Sequence, residues 1–121
     1  MTPTQRSLKY LRDQGYTPWI VEKYNSFARI RQDLYGFIDI VAIRKDLPGV
    51  LGIQTTSGSN VSAHLLKIKE NPHFLTWRAA GNLVHVHGWR KVGERGKRKL
   101  WDVRIEDVSG IDVPSEPLSS S

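Results

Sequence analysis

At 121 residues and 13.8 kDa the chain fits one domain that can bury roughly two thirds of its unfolded surface, and 39% hydrophobic with 25% charged side chains exclude wholesale disorder and a fibrous repeat. The lack of cysteine excludes a disulfide framework, a thiol nucleophile and cysteine-ligated zinc, so any metal ligands are oxygen or imidazole and a cytoplasmic location is the natural expectation. Net charge is +6, and neither an apolar signal core at the amino terminus nor a stretch of roughly 18 apolar residues for a membrane span is present.

In chain order, Thr2-Pro3 offers an N-cap followed by a first-turn proline, Leu8 and Leu11 lie one turn apart, and Gly15 suits a helix end. The β-formers of Trp19-Ile-Val-Glu22-Lys-Tyr24 predict a strand. Phe37-Ile-Asp-Ile-Val-Ala-Ile43 is apolar except for Asp39, as expected of a central strand covered on both faces. A turn over Arg44 to Gly49 returns the chain as a second strand, Val50 to Thr56. Ser57-Gly-Ser-Asn60 reads as a loop, with Ser62 capping a helix that carries Leu65, Leu66 and Ile68. Asn71-Pro72 restarts the chain as cap and first-turn proline of a second helix with Phe74 and Trp77 on one face and Gly81 at its end. Leu83 to Trp89 alternates as a strand, residues 90–99 form a turn, and Leu100 to Arg104 pairs back. The expectation is an α/β (α+β) domain over residues 1–108, a small central mixed β-sheet flanked by helices, with a flexible Pro- and Ser-rich tail over 109–121.

Charge is concentrated in one place. Residues 90–99 hold six bases and one acid, which leaves the rest of the chain close to neutral. Arg90, Lys91, Arg95, Lys97, Arg98 and Lys99 therefore form a basic hairpin suited to phosphates, with Trp89 and Trp101 flanking it as candidates for base stacking. A solvated turn, or cross-strand packing of the two indoles, is the simpler alternative.

Asp39 is the residue that needs explaining, since a carboxylate within an apolar strand is costly unless paired or used. If Ile43 pairs with Val50, the same offset sets Asp39 opposite Gln54, with Cβ atoms about 4.5 to 5.5 Å apart. Thr56 shares the Gln54 face. Asp39 could instead be a structural acid satisfied by Arg29, Arg31 or Arg44.

The stretch Gly36-Phe-Ile-Asp39 followed by Val50-Leu-Gly-Ile-Gln54-Thr-Thr56 resembles the PD-(D/E)XK nuclease superfamily, in particular small members similar to archaeal Holliday junction resolvases, virus-type replication-repair nuclease modules and phage-type proteins of this length. The resemblance spans residues 2–104 and rests on element order and one short motif. It implies a restriction-endonuclease-like core, a magnesium- or manganese-dependent endonuclease acting on DNA, and a catalytic set of Asp39, Gln54, Glu22 and Thr56. Metal ligands would be Asp39, Gln54 and the Thr55 carbonyl. Gln54 stands where the superfamily usually has glutamate, Thr56 replaces its lysine, and Thr4 or Gln5 occupies the place of the helix glutamate. Glu22 or Asp33 could supply the missing acid, and Lys67 or Lys69 the missing base.

That chemistry has a physical logic: Mg²⁺ takes one or two carboxylates with further oxygens and waters, polarises a phosphate and activates water. A rival reading keeps the fold and the basic hairpin without the chemistry, as an inactive nuclease-fold protein that binds DNA, RNA or a protein partner. A module reading an acidic protein surface is a third. Cutting both strands would favour a two-fold homodimer. His85-Val-His87 has a zinc-compatible spacing without a third ligand, Ser57-Gly-Ser-Asn60 lacks the P-loop pattern, and no Ser, His and Asp spacing suggests a nucleophilic triad.

Overall fold

The computed structural model describes residues 1–93 and 96–108; the tail over 109–121 lies outside the described residues. Helix α1 (Pro3–Asp13) opens as the sequence predicts. The Thr2 hydroxyl accepts from the Gln5 N–H at 3.2 Å while the Gln5 side chain accepts from the Thr2 N–H, and Pro3 fills a position that has no intrahelical N–H bond to lose.

The expected strand over Trp19 to Tyr24 is broken in two. β1 (Thr17–Ile20) ends where the consecutive N–H groups of Val21 and Glu22 both donate to the Asp39 carbonyl, at 2.9 and 3.2 Å. Adjacent amides of a regular strand point to opposite sides, so this shared acceptor kinks the chain out of the sheet. β2 (Lys23–Asn25) and β3 (Ile30–Gln32) then pair as a separate two-stranded hairpin.

The strand expected from Phe37 begins later, as β4 (Ile40–Arg44), because Phe37 and Ile38 complete a tight loop first. Tyr35 and Gly36 take left-handed conformations at φ 55° and 85°, and the Leu34 and Ile38 N–H and carbonyl groups bond to each other at 2.8 and 3.0 Å. The turn into β5 (Leu47–Ser57) is also shorter than expected. A bulge between Ala42 and Arg44 sets Arg44 opposite Leu47, so the expected Ile43 to Val50 pairing does not form, but beyond the bulge the offset is the expected one, with Ile40 opposite Ile53.

A 3₁₀ turn at Gly58–Asn60 leads into α2 (Val61–Glu70), so Asn60 rather than Ser62 occupies the cap, without a side-chain cap bond. α3 (Phe74–Ala79) starts two residues later than Asn71-Pro72 predicts, because the Asn71 side chain is held in a turn by the His73 N–H at 2.8 Å. β6 (Leu83–Val92) and β7 (Leu100–Asp107) complete the chain. The strands lie in the order β1-β4-β5-β6-β7, with β5 and β6 parallel and the other neighbours antiparallel. The fold is α+β, a mixed five-stranded sheet with three helices, and α2 with α3 forms the crossover that a parallel pair requires.

Both faces of the sheet are covered, each by its own core. Leu11 of α1 packs with Ile40, Ala42, Leu51 and Ile53, while Phe37, Ile38, Val84 and Val86 pack with Val61, Ile68 and Phe74 of α2 and α3. Strand alternation explains the division, and each fully buried Ile, Leu or Phe contributes about 1.5–3 kcal/mol. Beneath α1, Ser7 links two buried residues of β6, accepting from Trp89 Nε1 at 2.9 Å and sharing a 2.9 Å hydrogen bond with His87 Nδ1.

Gly88 allows the loop after β5 to lie on β6. A Cβ there would press into Val61 Cγ2 and stand 3.2 Å from Gly58 Cα, and Val61 is fully buried. Gly88→Ala is therefore expected to lower stability by about 1–3 kcal/mol, seen as a lower urea midpoint at unchanged slope. A midpoint equal to that of wild type would show that the loop shifts freely.

Candidate metal centre

Topology gathers the polar residues at one end of the sheet. β1 and β5 both run antiparallel to β4, so the end of β1, the start of β4 and the end of β5 coincide, and the first turn of α1 reaches the same place. Asp39 sits there, 4% exposed, with its N–H donating to the Ile53 carbonyl at 2.9 Å. Its carboxylate accepts from the Thr55 N–H at 2.8 Å and from Thr55 Oγ1 at 3.4 Å, and Thr55 Oγ1 in turn meets Thr4 Oγ1 at 3.1 Å.

Gln54 is 2% exposed; its Nε2 donates to Asp33 Oδ2 at 3.3 Å, while its Oε1 is buried with no hydrogen-bond partner. Glu22, Asp33 and Asp39 each bring an oxygen to within 4.8 Å of the others. The kink after β1 delivers Glu22, and the loop after β3 delivers Asp33. Both acids weighed as substitutes are therefore present together, not one in place of the other.

Among the described residues no arginine satisfies Asp39. Arg31 stands 3.5 Å from Glu22 and Arg44 pairs with Asp46 at 2.6 Å, which leaves the Thr55 N–H as the group that favours the Asp39 anion. Burial, the hydrogen bond with the Asp33 side chain and the charges of Asp33 and Glu22 outweigh it, pushing the Asp39 carboxyl up to about 8. The three carboxylates form an all-oxygen donor set of the kind that hard divalent cations such as Mg²⁺ and Mn²⁺ take, and Gln54 turns its Nε2 toward it through Asp33.

The remaining expected residues fall as follows. Thr56 is buried opposite Gly88 and offers a hydroxyl where the nuclease pattern has an amine. Thr55 meets Asp39 through its N–H and hydroxyl. Lys67 and Lys69 are exposed on α2, and no lysine is among the groups that set the Asp39 pKa. Two contributors were missed. Thr4, where the nuclease pattern has an acid, touches the centre through Thr55. His64 feels the Asp33 charge, is held below its ordinary pKa by burial, and keeps a buried Nδ1 without a partner. Its i, i+4 relation to the fully buried Ile68 was a legible signal that it faces inward.

In the basic hairpin Arg90, Lys91, Lys97, Arg98 and Lys99 are exposed, and Arg95 lies outside the described residues. Trp89 divides its surface between the core and a cleft. It is 9% exposed and its N–H is bonded to Ser7, because position 89 alternates with the inward-facing His87 and closes the core under α1, while its remaining edge lines a surface cleft beside Arg90. Trp101 instead stacks with the Arg6 guanidinium, 3.9 Å from its ring. A cleft of about 420 Å³ lined by Ser57, Gly58, Ser59, Trp89, Arg90 and Arg104 separates the hairpin from the end of β5. A larger one of about 760 Å³, between Gln14 and Asp46, lies at the other end of the sheet, away from the carboxylates. His85 stands 3.7 Å from Asp107, but burial outweighs that charge and holds the imidazole below its ordinary pKa.

No protein-family model, curated protein or solved structure matches the chain.

The pH dependence of the metal-free fold follows from two buried groups. Asp39, raised to about 8, stabilises the fold in its protonated form, and that contribution is lost as pH rises from about 4 to about 8, by at most about 1.4 kcal/mol per pH unit. His87, lowered by burial to about 4, acts oppositely, its contribution being complete above about 6.5 and lost as pH falls toward 4. The two slopes oppose each other below about 6.5, leaving that of Asp39 alone between 6.5 and 8. In EDTA the thermal midpoint is expected to drop over that interval, and Asp39→Asn to flatten the drop and exceed wild type at pH 8. An Asn variant less stable than wild type at pH 8 would contradict a protonated, buried Asp39.

Proposed function

We propose that the chain is a metal-dependent DNA endonuclease of the PD-(D/E)XK type, with a restriction-endonuclease-like core and a centre built from Asp39, Asp33, Glu22 and Gln54. The observation that carries this reading is the meeting of three carboxylates with oxygens within 4.8 Å of one another. So many carboxylates, even with Arg31 beside Glu22 to offset them, are unfavourable in the free protein and favourable around a divalent ion. The element order supports the core assignment, since a helix precedes three antiparallel strands, β1, β4 and β5, and a helical crossover leads to the parallel β6.

Bound Mg²⁺ or Mn²⁺ would polarise the scissile phosphate and activate a water. The chain's own residues do the rest. Asp39 is held by Thr55, Gln54 holds Asp33, and Arg31 steadies Glu22, so all three ligands are oriented before the ion arrives. Arg90 lies four positions along β6 from Val86, the partner of Gln54, or roughly 13 Å, which suits a contact to a neighbouring phosphate of the same substrate. One observation favours the second reading, a nuclease-fold protein that binds nucleic acid without cutting it: Thr56 replaces the lysine and no other amine acts on Asp39.

Mn²⁺ or Mg²⁺ is expected to raise the thermal midpoint of wild type and not of Asp39→Ala, by the equivalent of about 2.7 kcal/mol at a hundredfold excess over Kd. Labelled single-stranded, duplex and four-way-junction DNA should be cut in Mg²⁺ or Mn²⁺ by wild type, and not by Asp39→Ala or Asp33→Ala. Binding without cutting in either metal would leave the second reading in place. For the basic hairpin, the slope of log K against log salt on duplex should shrink by about 0.9 for each phosphate contact removed, as in Arg90→Gln or Lys91→Gln. An unchanged slope would take the hairpin out of the interface.

A further inference from the structure

We propose that the β2–β3 hairpin is a base-stacking wedge that holds unpaired DNA bases next to the carboxylate centre; that the bases lie beside a cleavage site rests on the nuclease reading, whereas the binding itself does not. The hairpin was unremarked in the sequence, where its first strand merged with β1.

Its composition and exposure point to a polyanion that carries rings. Residues 23–32 contain Lys23, Arg29 and Arg31 and no acid. Phe27 at the tip is 101% exposed and Tyr24 is 65% exposed. Tyr24 pairs with Arg31, so an aromatic ring and a guanidinium share one face of the ribbon. A ring that buries nothing contributes nothing to the stability of the free protein, yet it offers both faces to a base, and stacking of this kind is indifferent to base identity.

The tip is free while the base is fixed. The Asn25 side chain accepts from the N–H groups of Phe27 and Ala28 at 3.0 and 3.1 Å, and Arg29 closes the turn at φ 54°, so Phe27 is presented by a defined loop. At the other end, Val21 and Glu22 are bonded to the Asp39 carbonyl and Leu34 to the Ile38 carbonyl. The feet of the hairpin are thus Glu22 and Asp33 themselves. Three paired residues at strand rise carry the tip roughly 10 Å beyond them, about three stacked nucleotides along a strand.

Stacking needs an open base face, so the wedge favours single strands, branch points and frayed ends over intact duplex, where unstacking costs a few kcal/mol per step. A lipid surface is the competing occupant, but one fully exposed ring on a short ribbon falls far below the apolar face of membrane-bound helices.

The test is fluorescence anisotropy of the full chain with a labelled single strand and its duplex, in Ca²⁺ instead of Mg²⁺, alongside phosphatidylserine vesicles. Phe27→Ala is expected to weaken single-strand binding by about 5- to 100-fold and duplex binding by less than about twofold, with Phe27→Trp restoring it. Because Phe27 is fully exposed, the thermal midpoint and its Mn²⁺ shift should not move, which removes misfolding as an explanation. Single-strand binding by Phe27→Ala within about twofold of wild type, no DNA binding by wild type, or a Phe27 effect confined to vesicles would each overturn the wedge. The readouts also separate the two proposals. A Phe27-dependent single-strand affinity without a Mn²⁺ shift would sink the metal centre and keep the wedge, and the converse would do the reverse.

Discussion

The structure turns on how the backbone and side chain of Asp39 are satisfied. Its carbonyl takes the N–H groups of Val21 and Glu22, its N–H goes to Ile53, and its carboxylate receives Thr55. Each bond ties a different segment to one point, so Glu22 arrives from the kink after β1 while Gln54 and Thr55 arrive from β5. The cost is electrostatic, because the same geometry brings three carboxylates together in a partly desolvated place. The metal-free protein relieves that crowding by favouring a proton on Asp39, and a divalent cation at the proposed centre would relieve it by replacing the proton.

The rest of the fold supplies the rigidity such crowding requires. Cores on both faces clamp β4 and β5, and α1 is locked to β6 through Ser7, His87 and Trp89, which fixes the first turn of α1 where Thr4 meets Thr55. Gly88 lets the loop after β5 lie flat, so Ser57 and Ser59 border the same cleft as Arg90 and Arg104. Packing far from the carboxylates thus sets the spacing between acidic and basic groups.

Charge is partitioned along the surface in the way the proposed nucleic-acid reading requires. The acids meet at the sheet end, one cationic hairpin rises from their own feet, and a second lies farther along β6. A phosphate held between the carboxylates and either hairpin would be bridged by metal on one side and guanidinium on the other.

Much of this was legible in the sequence, because it depends on local rules. The Thr2-Pro3 cap, the two-sided apolar strands, the offset that sets Ile40 against Ile53 and the basic run at 90–99 follow from capping, periodicity, turn length and composition, each readable within about fifteen residues. What the tertiary structure decided involves segments far apart in the chain. Two amides sharing the Asp39 carbonyl split one expected strand into β1 and a projecting hairpin, and joined Glu22 and Asp33 in one centre. The bond from Trp89 to Ser7, across more than eighty positions, drew most of an indole into the core and left one edge on a cleft. Hydrogen-bond partners at such separation leave no periodic trace in sequence, since they are selected only when the sheet has closed and buried polar groups find what remains to satisfy them.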